Sequence, residues 1–342
     1  MIAGPFGTRL PRRGLSVLAG LALVSACVLA VSLMSGTYGL PLGQVWATLT
    51  GNPPSEMAAT VVFNFRLPRA LVALACGAML ALSGAVLQGL TRNGLADPSL
   101  LGVSQGAALA VVALIVLFPQ APTGLRTPLA FCGSLMAAGL VQALATGPRS
   151  AGPLRLILIG VGLSAFLSAL TSTLLTHGKL QEAQSALGWL SGSINSAGWD
   201  EVVSLTLVAL LLVPATVALA RPLGPLRFGP EVAQGLGLSL NLARGGTVLL
   251  AVAAAAASTA AVGPLGFVGL IAPHMAARLV RTGPGLHLAL SATTGALIVA
   301  LADLAGRTAF APVQIPAGIV TAVIGVPIFA ALLMRGGGIS QP

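Results

Sequence analysis

From Leu71 to Leu90 the chain runs for about twenty residues without a charge, which is the length an α-helix needs to cross the hydrocarbon core of a bilayer. Polar collars bracket this run. Arg66-Leu-Pro-Arg69 precedes it, and TRNGLADPSLLG (91–102) follows it. In hydrocarbon the backbone has to satisfy its own hydrogen bonds, so the run itself is a helix. Arg92, Asn93, Asp97 and Pro98 are costly at membrane depth unless they line a cavity or pack on protein, so the break points to function. GVSQGAALAVVALIVLF (102–118) then starts a return crossing. The unit reads as a helix in, a broken polar elbow and a helix out.

Similar runs recur along the chain. Charged residues are 7% and hydrophobic residues 56%, with a mean hydropathy of +0.97, whereas a soluble domain carries about 25% charge. The fold class that follows is an all-α polytopic membrane protein of about ten transmembrane helices, several of them short or broken. The expected crossings are the first apolar segment after the basic stub 1–14, the pair flanking the elbow, 129–146, 154–176, 202–220, 247–262, a short glycine- and proline-rich segment around 263–282, 286–305 and 315–334. Residues 37–65 read as a loop carrying a short surface helix, and 177–201 as short external helices. Bundled membrane helices form one body, so 1–342 is taken as a single transmembrane domain.

The net charge of +10 would suggest nucleic acid in a soluble chain. Here the few charges flank apolar runs and report orientation instead. Ten crossings with both termini cytoplasmic put twelve of the 17 basic residues inside, as the positive-inside rule requires. Arg66, Arg69, Arg126, Lys179 and Arg307 then fall outside.

RLPR, SGAVLQGLTRNGLADPSLLGVSQGA, GPLGFVGLIAPHMAARL and PVQIPAGIVTAVIGVPIF resemble, in order and over nearly the whole chain, the marks of the FecCD family. These are the inner-membrane permeases of ATP-binding cassette importers for iron-siderophores, haem and vitamin B12. The resemblance implies a vitamin B12 importer permease-like fold, a second permease copy (a homodimer, or a related subunit), two ATPase subunits below and a substrate-binding protein above. It gives the segment around 221–245 the role of a cytoplasmic coupling loop, with Glu231, Ala233, Gly235, Leu236 and Gly237 as candidate ATPase contacts. Arg66, Arg69 and Arg307 would meet glutamates on the binding protein, since a planar guanidinium can hold both oxygens of a carboxylate. Asn93, Gly94 and Leu95 resemble the inner gate, with glycine standing where the family usually has proline.

Each role has a plainer reading. Arginines at helix ends snorkel to the interface by default, a basic loop is often only a solvated turn, and small-xxx-small patterns such as Gly102 to Gly106 are common in any membrane bundle. Asp97 can cap a helix and Asp303 can pair with Arg307 at i+4. The chain has no phosphate-binding GxxxxGK[ST] loop, no HExxH and no nucleophile elbow, so ATP and Mg belong to a partner and no catalytic residue is assigned. His177, His274 and His287 are scattered, as are Cys27, Cys76 and Cys132, and no metal site is expected. The function that follows is the permease of an importer for an iron(III)-siderophore or similar metal chelate. An ion-coupled secondary transporter is the alternative in another class, and haem or cobalamin the alternative cargo.

Overall fold

Pro68 should interrupt any helix that runs into the first long apolar run, and the chain accommodates it with a change of pitch. The computed structural model describes residues 2–3, 9–10, 12–36, 38–145, 153–226, 230–237 and 239–335. Helix α1 is Arg12–Met34, α2 is Leu42–Leu49 and α3 is Glu56–Thr60. A π-helical turn, Val61–Arg66, then leads directly into α4, Leu67–Thr91. The wider turn hands the Leu67 N–H to the Val62 carbonyl, so the ladder adjusts just before the proline that has no N–H to give. The second half of the expected 37–65 loop is therefore helix, and RLPR lies inside a continuous rod of 36 residues from Glu56 to Thr91.

Beyond the elbow come α5 (Val103–Leu117), α6 (Arg126–Ala145), α7 (Pro153–His177), α8 (Leu180–Leu190) and α9 (Trp199–Leu226). Next are the short α10 (Pro230–Gly235) and then α11 (Leu240–Val262), α12 (Val268–Leu279), α13 (Pro284–Thr308) and α14 (Ala317–Arg335). Among the described residues seven helical segments are long and apolar enough to cross a membrane, and Val103–Leu117 and Ala317–Ala331 are shorter apolar helices. The twelve-residue α12 carries Pro273 in its interior and occupies the segment expected to be short. The sheet among the described residues is a two-residue antiparallel pairing of Ile2–Ala3 with Arg9–Leu10. The expected stub ends early, because α1 already begins at Arg12.

Helices α4, α11 and α13 form the centre, and small residues bring them together. Ala251, Ala254, Ala255 and Ala256 on α11 are buried, and Ser83 of α4 donates to the Ala251 carbonyl at 2.6 Å. A Cβ on Gly84 would sit 1.8 Å from the Gly269 carbonyl oxygen of α12, so only glycine permits that crossing. The Gly102 to Gly106 pattern is used within the chain: a Cβ on Gly106 would lie 2.2 Å from the Gly133 oxygen of α6. Cys76 is buried in this core, while Cys27 and Cys132 are exposed.

Candidate functional site

The sequence distributes its candidate residues over three places, and the structure gives each its own chemistry. The first is the end of the bundle where α1 finishes and α4 begins. Arg66 is buried, and its Nη1 donates to the carbonyls of Leu33 at 2.7 Å and Met34 at 3.1 Å, while Nη2 donates to that of Tyr38. Arg307 is buried too. Its Nη2 donates to the Ser32 carbonyl at 2.7 Å and to the Ser32 hydroxyl, and Nη1 reaches the Ser35 carbonyl at 3.3 Å. The last carbonyls of a helix lack intrahelical donors. Two guanidinia, from α13 and from the turn before α4, supply them to α1.

Arg69 is placed differently. Its Nε and Nη2 donate to Asp303 at 3.0 and 2.8 Å, and Nη1 donates to Asn195 at 2.7 Å and Gln314 at 2.9 Å. Asp303 was expected to pair with Arg307 one turn on, but that contact is long, at 3.9 Å. Its principal partner is Arg69, which comes from the other end of the sequence. Arg69 hydrogen-bonds the side chains of two exposed residues, Asn195 and Gln314. Arg66 and Arg307 neither project outward nor snorkel in this conformation.

The second place is the elbow. Helix α4 ends as Arg92 turns left-handed at φ 53°. The Asn93 side-chain oxygen accepts from the Leu95 N–H at 2.9 Å, a local turn that asparagine is suited to make. Gly94 lies against α12, where a Cβ would meet His274 Nε2 at 2.9 Å. Asp97 caps the one-turn 3-10 helix Pro98–Leu101, accepting from the Ser99 N–H at 2.9 Å.

Gln88 joins this elbow to α12 and was not singled out from sequence. Its Nε2 donates to the carbonyls of Ala96 at 3.4 Å, Gly269 at 3.5 Å and Leu270 at 3.2 Å. Pro273 cannot donate to the Gly269 carbonyl four residues back, and Gln88 approaches that abandoned acceptor. A lone amide in an apolar span is itself the signal that would have found it.

The third place is α10. Helix α9 continues to Leu226 and α11 starts at Leu240, so the long loop expected over 221–245 is a short helix between two long ones; residues 227–229 and 238 lie outside the described residues. The short helix ends where Gly237 turns to φ +81° and its N–H bonds the Gln234 carbonyl at 2.8 Å. Glu231, Gly235, Leu236 and Gly237 are exposed. Ala233 is not: it is fully buried against Ala243, with Leu90 of α4 packed beside them. The candidate contact segment thus touches the helix that carries the elbow, one residue before Thr91.

Membrane-length helices packed around a proline-containing elbow define a polytopic membrane protein. The chain belongs to the FecCD transport family, which matches residues 22–335. It is 39% identical to the "Probable siderophore transport system permease protein YfhA" of Bacillus subtilis (strain 168) over 91% of this chain and 92% of that protein. It is 37% identical to the Fe(3+) dicitrate transport system permease protein FecD of Escherichia coli (strain K12), over 91% and 96% respectively. A solved metal-chelate type ABC transporter in an inward-facing conformation superposes with a TM-score of 0.83 at 30% identity, covering 94% of this chain and 99% of that one.

Proposed function

We propose that this chain is the membrane-spanning half of an ATP-driven importer that passes an iron(III) chelate, of the siderophore or citrate kind, into the cell. The observation that carries the reading is the family match across nearly the whole chain, joined to a structural likeness that covers the same length. Related permeases with these printed cargoes are 37–39% identical, whereas haem or cobalamin rests on the wider family alone.

The chain works as one transmembrane domain beside a second copy, with both termini in the cytoplasm. ATPase subunits, which hold the ATP and Mg, dock on the exposed face of α10 through Glu231, Gly235, Leu236 and Gly237, with Ala233 as the buried side that transmits their movement. Because Ala233 packs beside Leu90, a rigid-body push on α10 reaches the α4 end and the gate at Asn93, Gly94 and Leu95. A binding protein carrying the chelate docks at the opposite end. Arg69, with Asn195 and Gln314, is its contact; Arg66 and Arg307 hold α1 beneath that surface.

Reconstitution tests this. Proteoliposomes containing the chain, its ATPase subunits and a binding protein should accumulate a ferric siderophore only with internal ATP. Accumulation by the chain alone on a proton or sodium gradient would reject the importer reading in favour of an ion-coupled transporter.

A further inference from the structure

Helices α1 and α13 lie side by side with their first residues at the same end of the bundle. Leu15 and Leu18 of α1 pack with Ala276 and Val280 at the end of α12 and with Leu286 and Leu290 at the start of α13. That packing gathers four arginines. Arg12 and Arg13 open α1, Arg278 is in the last turn of α12, and Arg281 is in the turn that follows it. All four are exposed, and among the described residues none of them joins an ion pair. Helix α1, helix α12 and the turn between α12 and α13 carry no acidic residue. The single one on α13, Asp303, stands at the far end with Arg69.

Further along the same two helices a groove of about 630 Å³ opens, walled by Ala22, Ala26 and Leu29 of α1, Leu74 of α4 and Leu205 of α9. Its three hydroxyls, on Ser25, Thr206 and Thr293, each donate to a carbonyl of their own helix, so the wall is in effect apolar. Leu23, Val24 and Val31 are exposed on α1, which therefore borders the bilayer. Leu15, beside the arginines, is one heptad before Ala22 and so shares nearly the same side of the helix. The ten residues from Arg12 to Ala22 rise about 15 Å, within the length of an acyl chain.

The two ends call for different chemistry. Guanidinia bind phosphate oxygens through paired N–H donors, whereas the groove can only be filled by hydrocarbon. Arginines that merely report orientation need no groove beside them, and a soluble anion would use the arginines and leave the groove empty. We propose that this corner binds an anionic phospholipid of the inner leaflet. Its phosphate meets Arg12, Arg13, Arg278 and Arg281, and one acyl chain follows α1 into the groove. The side of the membrane is taken from the importer reading; the preference for an anionic lipid is not.

The experiment uses the full chain in phosphatidylcholine vesicles, with a trace of spin-labelled phosphatidylglycerol or phosphatidylcholine to report the lipid held at the protein. Phosphatidylglycerol should be held several-fold more strongly, and the preference should shrink as salt rises. Arg12→Gln, Arg13→Gln, Arg278→Gln and Arg281→Gln together should remove the preference. Ala26→Phe, which fills the groove without touching a charge, should weaken it. Should the fourfold variant fail to insert, Arg278→Gln with Arg281→Gln and the unsubstituted chain still decide. Equal retention of the two lipids by the unsubstituted chain overturns the proposal, as does a preference that survives the arginine changes or the filled groove. Arginine variants that lose the ATPase while keeping the lipid preference would give the patch to that partner and overturn it too. The measurement needs neither ATP nor chelate, so its failure leaves the importer reading standing.

Discussion

Arg69 and Asp303, 234 positions apart in the chain, form the tightest ion pair at the end of the bundle where α1 terminates, with Nη2 2.8 Å from Oδ1 and Nε 3.0 Å from both carboxylate oxygens. Asp303 is also the carboxylate nearest the buried Arg307 among the described residues. The pair therefore links α4 to α13, and its single carboxylate also faces, at longer range, the arginine that is committed to α1.

Removing one partner of a buried pair leaves a charge without compensation and costs about 3–5 kcal/mol, whereas replacing both by apolar residues is often close to neutral. Asp303→Ala should lower the stability of the chain by that amount. The double change Arg69→Leu with Asp303→Leu should recover much of it, with Arg307 still leaning on the Ser32 and Ser35 carbonyls. Denaturant unfolding in detergent measures both. A double variant as unstable as Asp303→Ala would show that Arg307 is the group that needs the carboxylate.

Gln88→Leu deletes the side chain that joins the Ala96 carbonyl to those of Gly269 and Leu270. The hydrogen bonds are long, between 3.2 and 3.5 Å, so the stability loss should be small, about 1 kcal/mol. The effect on transport should be larger, because the elbow and α12 would no longer move together. Uptake into proteoliposomes should fall while ATP hydrolysis by the assembled transporter continues. Equal loss of uptake and hydrolysis would assign Gln88 a purely structural role.

Gly84 and Gly139 give a matched comparison on helices α4 and α6. A Cβ at Gly84 would lie 1.8 Å from a backbone oxygen, whereas nothing stands within 4 Å of one at Gly139. Gly84→Ala forces the helices apart and should cost about 1–3 kcal/mol or more. Gly139→Ala should be neutral or stabilising by up to about 1 kcal/mol, since alanine is the better helix former. Thermal unfolding of the purified variants checks the ordering.

The apolar runs and the elbow are legible in the sequence because hydrocarbon imposes a length and a backbone rule that no tertiary contact can relax. Helices α4, α7, α11 and α13 fall close to where the runs lie for that reason. The loop over 37–65 misleads because Gly51, Asn52, Pro53, Pro54 and Glu56 read as one long break, yet helix resumes at Glu56 and a π-helical turn carries it on to α4. The end of α9 misleads likewise: Pro222 and Pro225 read as the start of a loop, yet the helix continues to Leu226. The arginines are visible, but their acceptors are not. Carbonyls of Leu33, Met34, Ser32 and Ser35 carry no side-chain signature, so a guanidinium bound to them looks from sequence like one free to meet a partner.

The two faces of α10 separate contact from transmission. Leu236 is 66% exposed, so Leu236→Asp should leave the fold of the chain unchanged. It should weaken co-purification with the ATPase by about tenfold, equal to about 1.4 kcal/mol. Ala233 is fully buried against Ala243 and Leu90, and Ala233→Leu overpacks that contact at a cost of about 1–3 kcal/mol. Its outer face stays intact, so the ATPase should still bind, but displacement of Leu90 should reach the elbow at once and lower uptake per ATP hydrolysed. An Ala233→Leu chain with unchanged coupling would mean that α10 only holds the ATPase and that the gate receives its motion elsewhere.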